Sequence, residues 1–492
     1  MLRHLRRDID LPEPAFDPYS YSRGRWLDQD ERRQKVRTLK FNFDALLDVA
    51  VNCSSGAREV VACEKRQGGF NRVFIIEFDN GSKVVAKVPM PFAGPSALTT
   101  MSEVATLRYV KGKTSVPVPR VLSWNSNPES GLVGIEYIIM EHVSGVALKD
   151  VWGQMTELQH IEVIESLGNL THPVDEDYCI GPHCGRQFWG YDDDQTTKAT
   201  VPFGFQGPWQ DLSIFFADLN KISRLAVDQR KLPQEEVENH LRLLEMSRKT
   251  LEAVGNITAV QESCSALLFH PDLHARNIFV NPKDPTQILG IIDWQSTAIE
   301  PAFVHAVETP DFAEEPLLDK TLDADVSRDS SEAQGHAQRC KRTWAVMAFL
   351  CPKLGKAKTL SPVLCRYLTS ICSGCSDDAT SLRSLLADVS GEWEELGIPG
   401  VCPYQPSQED EKLLSIELDQ LESTQRLRAY LSRLLHCETD GWIEAGRWDE
   451  VIPIYREQFA EFVSACIASR EEDETEEDAR RKADALWPFD LR

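Results

Sequence analysis

No run of apolar residues in this 492-residue chain comes near the roughly 18–20 needed to cross a bilayer as a helix. No secretory signal core follows the basic start Met1-Leu-Arg-His-Leu-Arg-Arg7. Asp8 and Asp10 interrupt that stretch at once, whereas a mitochondrial presequence is usually longer and poor in acids. Positive charge is scarce, with 53 Lys and Arg against 77 Asp and Glu, a net −24. A surface of that sign repels phosphate backbones, so general nucleic-acid binding is not expected. An excess of acid ordinarily serves solubility and does not by itself name a cationic substrate. Cysteine is a small fraction, thirteen in all. The pair Cys372-Ser-Gly-Cys375 and the pair Cys179/Cys184 around His183 each fall short of the four paired ligands of a structural zinc site. The expectation is a soluble, intracellular chain with reduced thiols, in the cytoplasm or the mitochondrion.

Apolar residues at 42% and charged residues at 26% describe a globular chain. Its length suggests about three domains, or two lobes and an extension. Internal repeats are absent. Residues 1–57 read as an N-terminal extension, with Pro12, Pro14 and Pro18 opposing early helix and a helix around Phe43–Val51. Strands are predicted at Arg58–Glu64, Arg72–Phe78 and Lys83–Val88, with Asp79-Asn80-Gly81 as a two-residue-turn hairpin signal. A helix follows between Ser96 and Lys111, then a short strand at Tyr137–Met140. Thr156-Glu-Leu-Gln159 is a capping box before a stripe of Leu158, Ile161, Ile164 and Leu167. Residues 172–208 break the helical pattern as an insertion, and helices resume at 209–227 and 233–253. Two short strands, Ile278–Val280 and Ile288–Ile292, precede a mostly helical end whose Glu471–Asp478 is a solvated acidic run.

Three separated signals carry chemistry. Lys87 lies in the apolar strand Val84-Val-Ala-Lys-Val88, where a buried ammonium needs a partner; Glu103, in the next helix, can supply it. Gly68 and Gly69 join the first two strands, either as a plain hairpin turn or as a place where backbone approaches phosphates without Cβ clash. Second, His270-Pro-Asp-Leu-His-Ala-Arg-Asn277 sets an Asp and an Asn five residues apart on a loop. Phosphoryl transfer needs one carboxylate to orient and deprotonate the attacking hydroxyl, and oxygen ligands for Mg²⁺. Asp272 suits the first task and the Asn277 amide oxygen the second. Third, Asp293 closes the apolar strand before Trp294, 21 residues after Asp272. It suits a metal between β- and γ-phosphates, or a simple strand cap.

The strand lysine, the H-x-D-x-x-x-x-N loop and the I-D-W are similar to the pattern of protein-kinase-like phosphotransferases. The chain resembles the aminoglycoside/choline kinase-type phosphotransferase family, and within it the fungal altered-inheritance-of-mitochondria branch. The residues that carry this are Tyr19-Ser-Tyr-Ser-Arg-Gly-Arg-Trp26, Gly69-Phe-Asn-Arg-Val-Phe74, Glu136-Tyr-Ile-Ile-Met-Glu141, Pro271–Val280 and Ile291-Ile-Asp-Trp-Gln295. The resemblance implies an α+β, two-lobed protein-kinase-like fold, with a small antiparallel β-rich N-lobe and a large helical C-lobe bearing extra C-terminal helices. The N-lobe would span 58–143 and the C-lobe core 144–335. The C-terminal helical part of the C-lobe, with its acidic tail, would span 336–492.

By the same resemblance ATP and Mg²⁺ are the cofactors, and Lys87 holds the α- and β-phosphates while Glu103 holds Lys87. Asp272 is the base, and Asn277 and Asp293 bind Mg²⁺. Glu141, His142 and Val143 form the hinge that meets adenine. The loop departs from the family in having Pro271 rather than Gly before the Asp, and Gly68-Gly69 falls short of G-x-G-x-x-G. No A-P-E-like segment follows Asp293, which favours a hydroxyl-bearing small molecule over a peptide as acceptor. The expected activity is transfer of the γ-phosphoryl group to an alcohol. The alternatives are a non-catalytic kinase-like binding protein and a mitochondrial maintenance factor.

Overall fold

Alternating side chains build the sheet of the β-rich stretch. In Asn71–Phe78 the residues Phe74, Ile76 and Phe78 are buried at every second position, and in Lys83–Pro89 so are Val84, Ala86 and Val88. Helix Phe43–Cys53, capped by the Asn42 side chain accepting from the Ala45 N–H, packs there and buries Phe43, Leu46 and Ala50. The Phe43 and Phe74 rings stand 4.9 Å apart. The sheet order is Val60–Gln67, Asn71–Phe78, Lys83–Pro89, Tyr137–Glu141, Val121–Asn125, and the first three strands pair antiparallel. The hairpin turn differs from the expected two-residue form. Only Gly81 is left-handed (φ 78°), and the Phe78 N–H bonds to the Ser82 carbonyl around a longer loop.

The computed structural model describes residues 16–167, 178–190, 201–230, 232–314, 329–374, 378–470 and 474–490. Parts of the expected 172–208 insertion, of the acidic run at 471–478, and Cys375 therefore lie outside the described residues. The chain divides into two compact units.

The first unit comprises Met1–Pro91, Leu122–Met140 and Gln420–Arg492. Residues 336–492, read from sequence as one helical region, are thus divided after Asp419. The reason is a pairing no local pattern announces: Gly24–Trp26 runs antiparallel to Trp442–Glu444. Leu27, Leu431, Ile443, Trp448, Tyr455, Trp487 and Phe489 bury a common core beneath it. Stacked cations reinforce the seam, with the Arg37 guanidinium 4.2 Å from the Trp26 ring and Arg25 4.0 Å from Trp448. Arg72 fastens the lead-in to the sheet. Its fully buried guanidinium donates to the carbonyls of Pro18 (2.8 Å), Tyr19 (2.6 Å) and Arg37 (2.9 Å).

The second unit comprises Phe92–Val121 and Glu141–Asp419. Helices Leu212–Asp228 and Gln234–Val254 pack together, and with Pro362–Cys372 and Ala379–Gly391 enclose one large apolar core. Into that core run Ile278–Asn281 and Asp284–Ile291, an antiparallel hairpin flanked by Val146–Ala147. The short strands Ala266–Leu268 and Ile299–Pro301 form a separate pair. Helix Glu157–Leu167 starts at the expected capping box, where the Thr156 N–H donates to Gln159 Oε1 at 2.9 Å. Its buried stripe keeps Ile164 and Leu167 of the expected one, but Leu158 is 65% exposed, and His160 and Val163 face inward with them.

Replacing Arg72 by Met keeps the stem but orphans the buried carbonyls of Pro18 and Arg37, while that of Tyr19 still accepts from the Leu39 N–H. A loss of about 2 kcal/mol or more is expected at 1–3 kcal/mol per unsatisfied group, read as a lower midpoint in denaturant unfolding.

Candidate active site

The hairpin Ile278–Asn281/Asp284–Ile291 decides where the chemistry-bearing groups fall. Ile278 pairs with Ile291, and the Ile292 N–H donates to the Asn277 carbonyl at 2.9 Å. Asn277, at the end of the catalytic loop, therefore stands across from the residue that precedes Asp293. The Asn277 amide Nδ2 donates to the Asp272 carbonyl oxygen (2.8 Å) and to its carboxylate Oδ2 (3.0 Å). With Nδ2 so committed, Oδ1 is the amide's acceptor end. His270 locks the start of the loop. It is buried, its Nδ1 accepts from the Asp272 N–H (3.1 Å), and its Nε2 therefore donates to the Ile292 carbonyl (2.9 Å). Buried Trp294 packs edge-on against His270 at 4.7 Å and donates to the Ile291 carbonyl. Asp293 itself holds φ 66°, a left-handed conformation uncommon outside glycine that the surrounding ladder maintains.

Two further side chains of the loop meet the Asp272 carboxylate. His274 Nε2 lies 2.9 Å from Asp272 Oδ1, and Arg276 Nη2 3.1 Å from Oδ2. Lys87 sits buried in the sheet of the first unit, opposite Val73 and on the face away from Phe74 and Ala86. Gly68 and Gly69 form the turn before Asn71, with open space where a Cβ of Gly69 would stand. That turn is held from the lead-in: Gln67 Oε1 accepts from the Ser22 N–H, its Nε2 donates to the Ser20 carbonyl, and Arg23 donates to the Gln67 carbonyl. Glu103 is buried in helix Leu98–Lys113 of the second unit. The Glu141 carboxylate accepts from the Arg120 N–H (3.0 Å) and Nε (2.9 Å). Val143 packs so closely on Gly290 that a Cβ there would stand 2.8 Å from its methyls, and His142 is half-buried between the two.

Sequence reasoning missed Asp311, 36 positions beyond Ala275, which accepts from the Ala275 N–H (2.9 Å) and lies 3.4 Å from His274 Nδ1. It also missed a cluster centred on Glu300. His183 Nδ1 accepts from the Gly185 N–H, so its Nε2 donates to Glu300 Oε1 at 3.0 Å. His305 Nε2 lies 3.2 Å from the other oxygen, and its Nδ1 3.1 Å from Glu308. Burial opposes ionisation of Glu300, but the two histidine hydrogen bonds prevail and hold its carboxyl far below the usual range. Burial likewise opposes charge on His305, and the two carboxylates override it, raising its pKa to about 9.

Glu300 and His183 line a cavity of about 590 Å³ whose other walls are mainly apolar, including Met101, Tyr109, Trp209 and Phe215. Leu268 and Thr297 in its lining belong to the segments that lead into the catalytic loop and away from Asp293. Of its two acids, Glu300 is neutralised by histidine and Asp211 caps helix Leu212–Asp228.

A carboxylate and an amide on one loop, a second carboxylate where the adjoining hairpin ends, and, in the other unit, a lysine buried in a β-sheet are features that resemble those of a phosphotransferase. Residues 64–304, just under half of the chain, match the phosphotransferase enzyme family, to which the chain is similar. A subtelomeric hrmA-associated cluster protein of Aspergillus fumigatus is 29% identical over 49% of this chain and 58% of its own, so the chain spans under two thirds of that relative's length. Altered inheritance of mitochondria protein 9 of Clavispora lusitaniae is 21% identical over 89% of this chain and 88% of its own. Among solved structures, the gentamicin complex of APH(2″)-IIa is 14% identical and covers 71% of this chain and 96% of its own, with a TM-score of 0.40. An ethanolamine kinase of Plasmodium vivax is 13% identical over 70% and 86%, with a TM-score of 0.36. The α+β, kinase-like fold class expected from the motifs is that of the family.

The His305 charge makes stability depend on pH. Its folded value near 9 exceeds the ordinary histidine value of 6.5, so the stabilisation is complete below about 6.5 and is lost as pH rises through about 9. Across that window the expected loss is on the order of 3 kcal/mol. The slope should vanish in His305→Gln, compared by thermal unfolding at pH 6 and pH 9.

Proposed function

We propose that the chain is an ATP- and Mg²⁺-dependent phosphotransferase that moves the γ-phosphoryl group to a hydroxyl of a small molecule, with Asp272 as catalytic base. The observation that carries this reading is the Asn277 bridge to Asp272 on a loop whose ladder ends beside Asp293. Mg²⁺ fits the donors present: the amide oxygen of Asn277, turned from Asp272 by its own N–H bonds, and the carboxylate of Asp293 are the hard oxygens that ion takes. When bound, the ion would neutralise charge growing on the transferred and leaving phosphates.

The protein's own part is positioning. Asp272 accepts the proton of the attacking hydroxyl while the acceptor oxygen bonds to the γ-phosphorus and the bond to the β–γ bridging oxygen breaks, releasing ADP. Asn277 and His274 fix the two carboxylate oxygens from opposite sides, and Asp311 steadies His274. In this reading Lys87 meets the α- and β-phosphates with Glu103 as its partner, and Gly68-Gly69 admits phosphate oxygens to backbone N–H groups. Glu141, His142 and Val143 offer backbone to adenine. Because Arg120 occupies the Glu141 carboxylate, only main-chain groups of that residue are left for the base. The lack of an A-P-E-like segment supports a small acceptor. The apolar walls of the cavity, with Glu300 matched by two histidines and Asp211 engaged as a helix cap, favour an acceptor with few amines over a polycation.

Two measurements decide it. ATP with Mg²⁺ should raise the thermal midpoint of the wild-type chain, and γ-labelled ATP should pass label into a small molecule of a cell extract. Asp293→Ala and Asp272→Asn should each lower that transfer by at least about 100-fold. Stabilisation by ATP without any labelled product would assign the chain as a non-catalytic binding protein. The names of the mitochondrial relatives make the mitochondrion the compartment to test first, by fractionation of a tagged chain.

A further inference from the structure

The face that helix Glu157–Leu167 buries brings in His160, which meets two side chains of the helix Asp329–Leu350. His160 Nδ1 lies 2.6 Å from His336 Nε2, and Cys340 Sγ lies 3.6 Å from that same nitrogen. His336 and Cys340 are one helical turn apart and so share a face. The three donor atoms all fall within 4.8 Å of one another, and His160 and Cys340 are buried. We propose that His160, His336 and Cys340 form a metal site for a borderline-soft divalent ion of the zinc type, with the fourth position left to water.

The outer nitrogens argue for a ligand cluster rather than a chance meeting. His160 Nε2 donates to the Trp152 carbonyl at 2.7 Å, which fixes the tautomer and turns the Nδ1 lone pair toward the cluster. The Trp152 ring stacks on the imidazole at 3.8 Å and holds its plane. His336 Nδ1 lies 3.7 Å from Glu157 Oε1, a carboxylate also paired with Arg339. A ligating histidine usually has its second nitrogen on a carbonyl or carboxylate, as His160 does here, while Glu157 stands near the second nitrogen of His336 without a hydrogen bond to it.

Without metal, the 2.6 Å contact is an N–H···N hydrogen bond from His336 to His160. Zn–N bonds of about 2.0–2.1 Å and tetrahedral angles separate two ligating nitrogens by roughly 3.4 Å, so filling the site opens the pair by less than about 1 Å. The protons balance. His336 moves its proton from Nε2 to Nδ1, facing Glu157. The Cys340 thiol loses its proton to solvent, and the thiolate bonds the ion. An ion there would pin helix Glu157–Leu167 to helix Asp329–Leu350. The donors suit zinc and not the Mg²⁺ of the transfer site, since thiolate and imidazole are softer than oxygen.

The full chain, stripped with a chelator and dialysed against Zn²⁺, should retain one equivalent by elemental analysis. Co²⁺ in its place should give a thiolate-to-metal charge-transfer band. Cys340→Ser and His336→Asn, each checked for native circular dichroism, should lose the equivalent and the band, while Asp293→Asn keeps both. Glu157→Gln should weaken Zn²⁺ binding about 10-fold. A wild-type chain that takes up no Zn²⁺ overturns the proposal, as does retention of the ion by the folded Cys340 and His336 variants.

Discussion

The hairpin between Ile278–Asn281 and Asp284–Ile291 is the constraint on which the site depends. Its ladder ties the end of one loop to the start of the next, so Asn277 and Asp293 are set by backbone hydrogen bonds rather than by flexible side chains. The hairpin in turn is immobilised because Ile278, Val280 and Ile291 are buried in the apolar core of the second unit. His270 closes the arrangement by bonding to the Asp272 amide on one side and the Ile292 carbonyl on the other. A left-handed Asp293 is the local cost of turning the chain sharply where its carboxylate is needed.

Much of this was legible because it is local. Period-two burial in Asn71–Phe78 and Lys83–Pro89, the capping box at Thr156, and the five-residue interval from Asp272 to Asn277 are written in neighbouring residues. The interval matters physically: one helical 3-10 turn, Ala275–Asn277, folds the amide back onto the carboxylate. What escaped the sequence is what tertiary packing creates. Asp311 reaches the loop only because the chain returns after the Glu300 strand, and no spacing connects it to Ala275. The Glu300 cluster joins residues 183, 300, 305 and 308 from three segments. The inward face of Glu157–Leu167 rotated away from Leu158 because His160 found a carbonyl and a histidine partner, which a count of apolar residues cannot register.

Charge is distributed unevenly between surface and interior. The acid excess that reads as solubility from composition does not extend into the cavity, where Glu300 is met by two imidazoles. Buried cations are handled differently again. Arg72 is satisfied by three carbonyls and Arg37 by a carbonyl and aromatic faces. Carbonyls and ring faces do not titrate, so these particular contacts persist over a wide pH range in a chain otherwise rich in carboxylates.

The pairing of Gly24–Trp26 with Trp442–Glu444 has a consequence for biogenesis. During synthesis the first of these strands emerges more than 400 residues before its partner. Until then Trp26 and Leu27, both buried in the finished molecule, lack the C-terminal part of their cover. Closing so long a loop is entropically slow, so the first unit matures only after translation has passed its final strand. In the interval the nascent chain offers an aromatic segment of the kind that general chaperones bind.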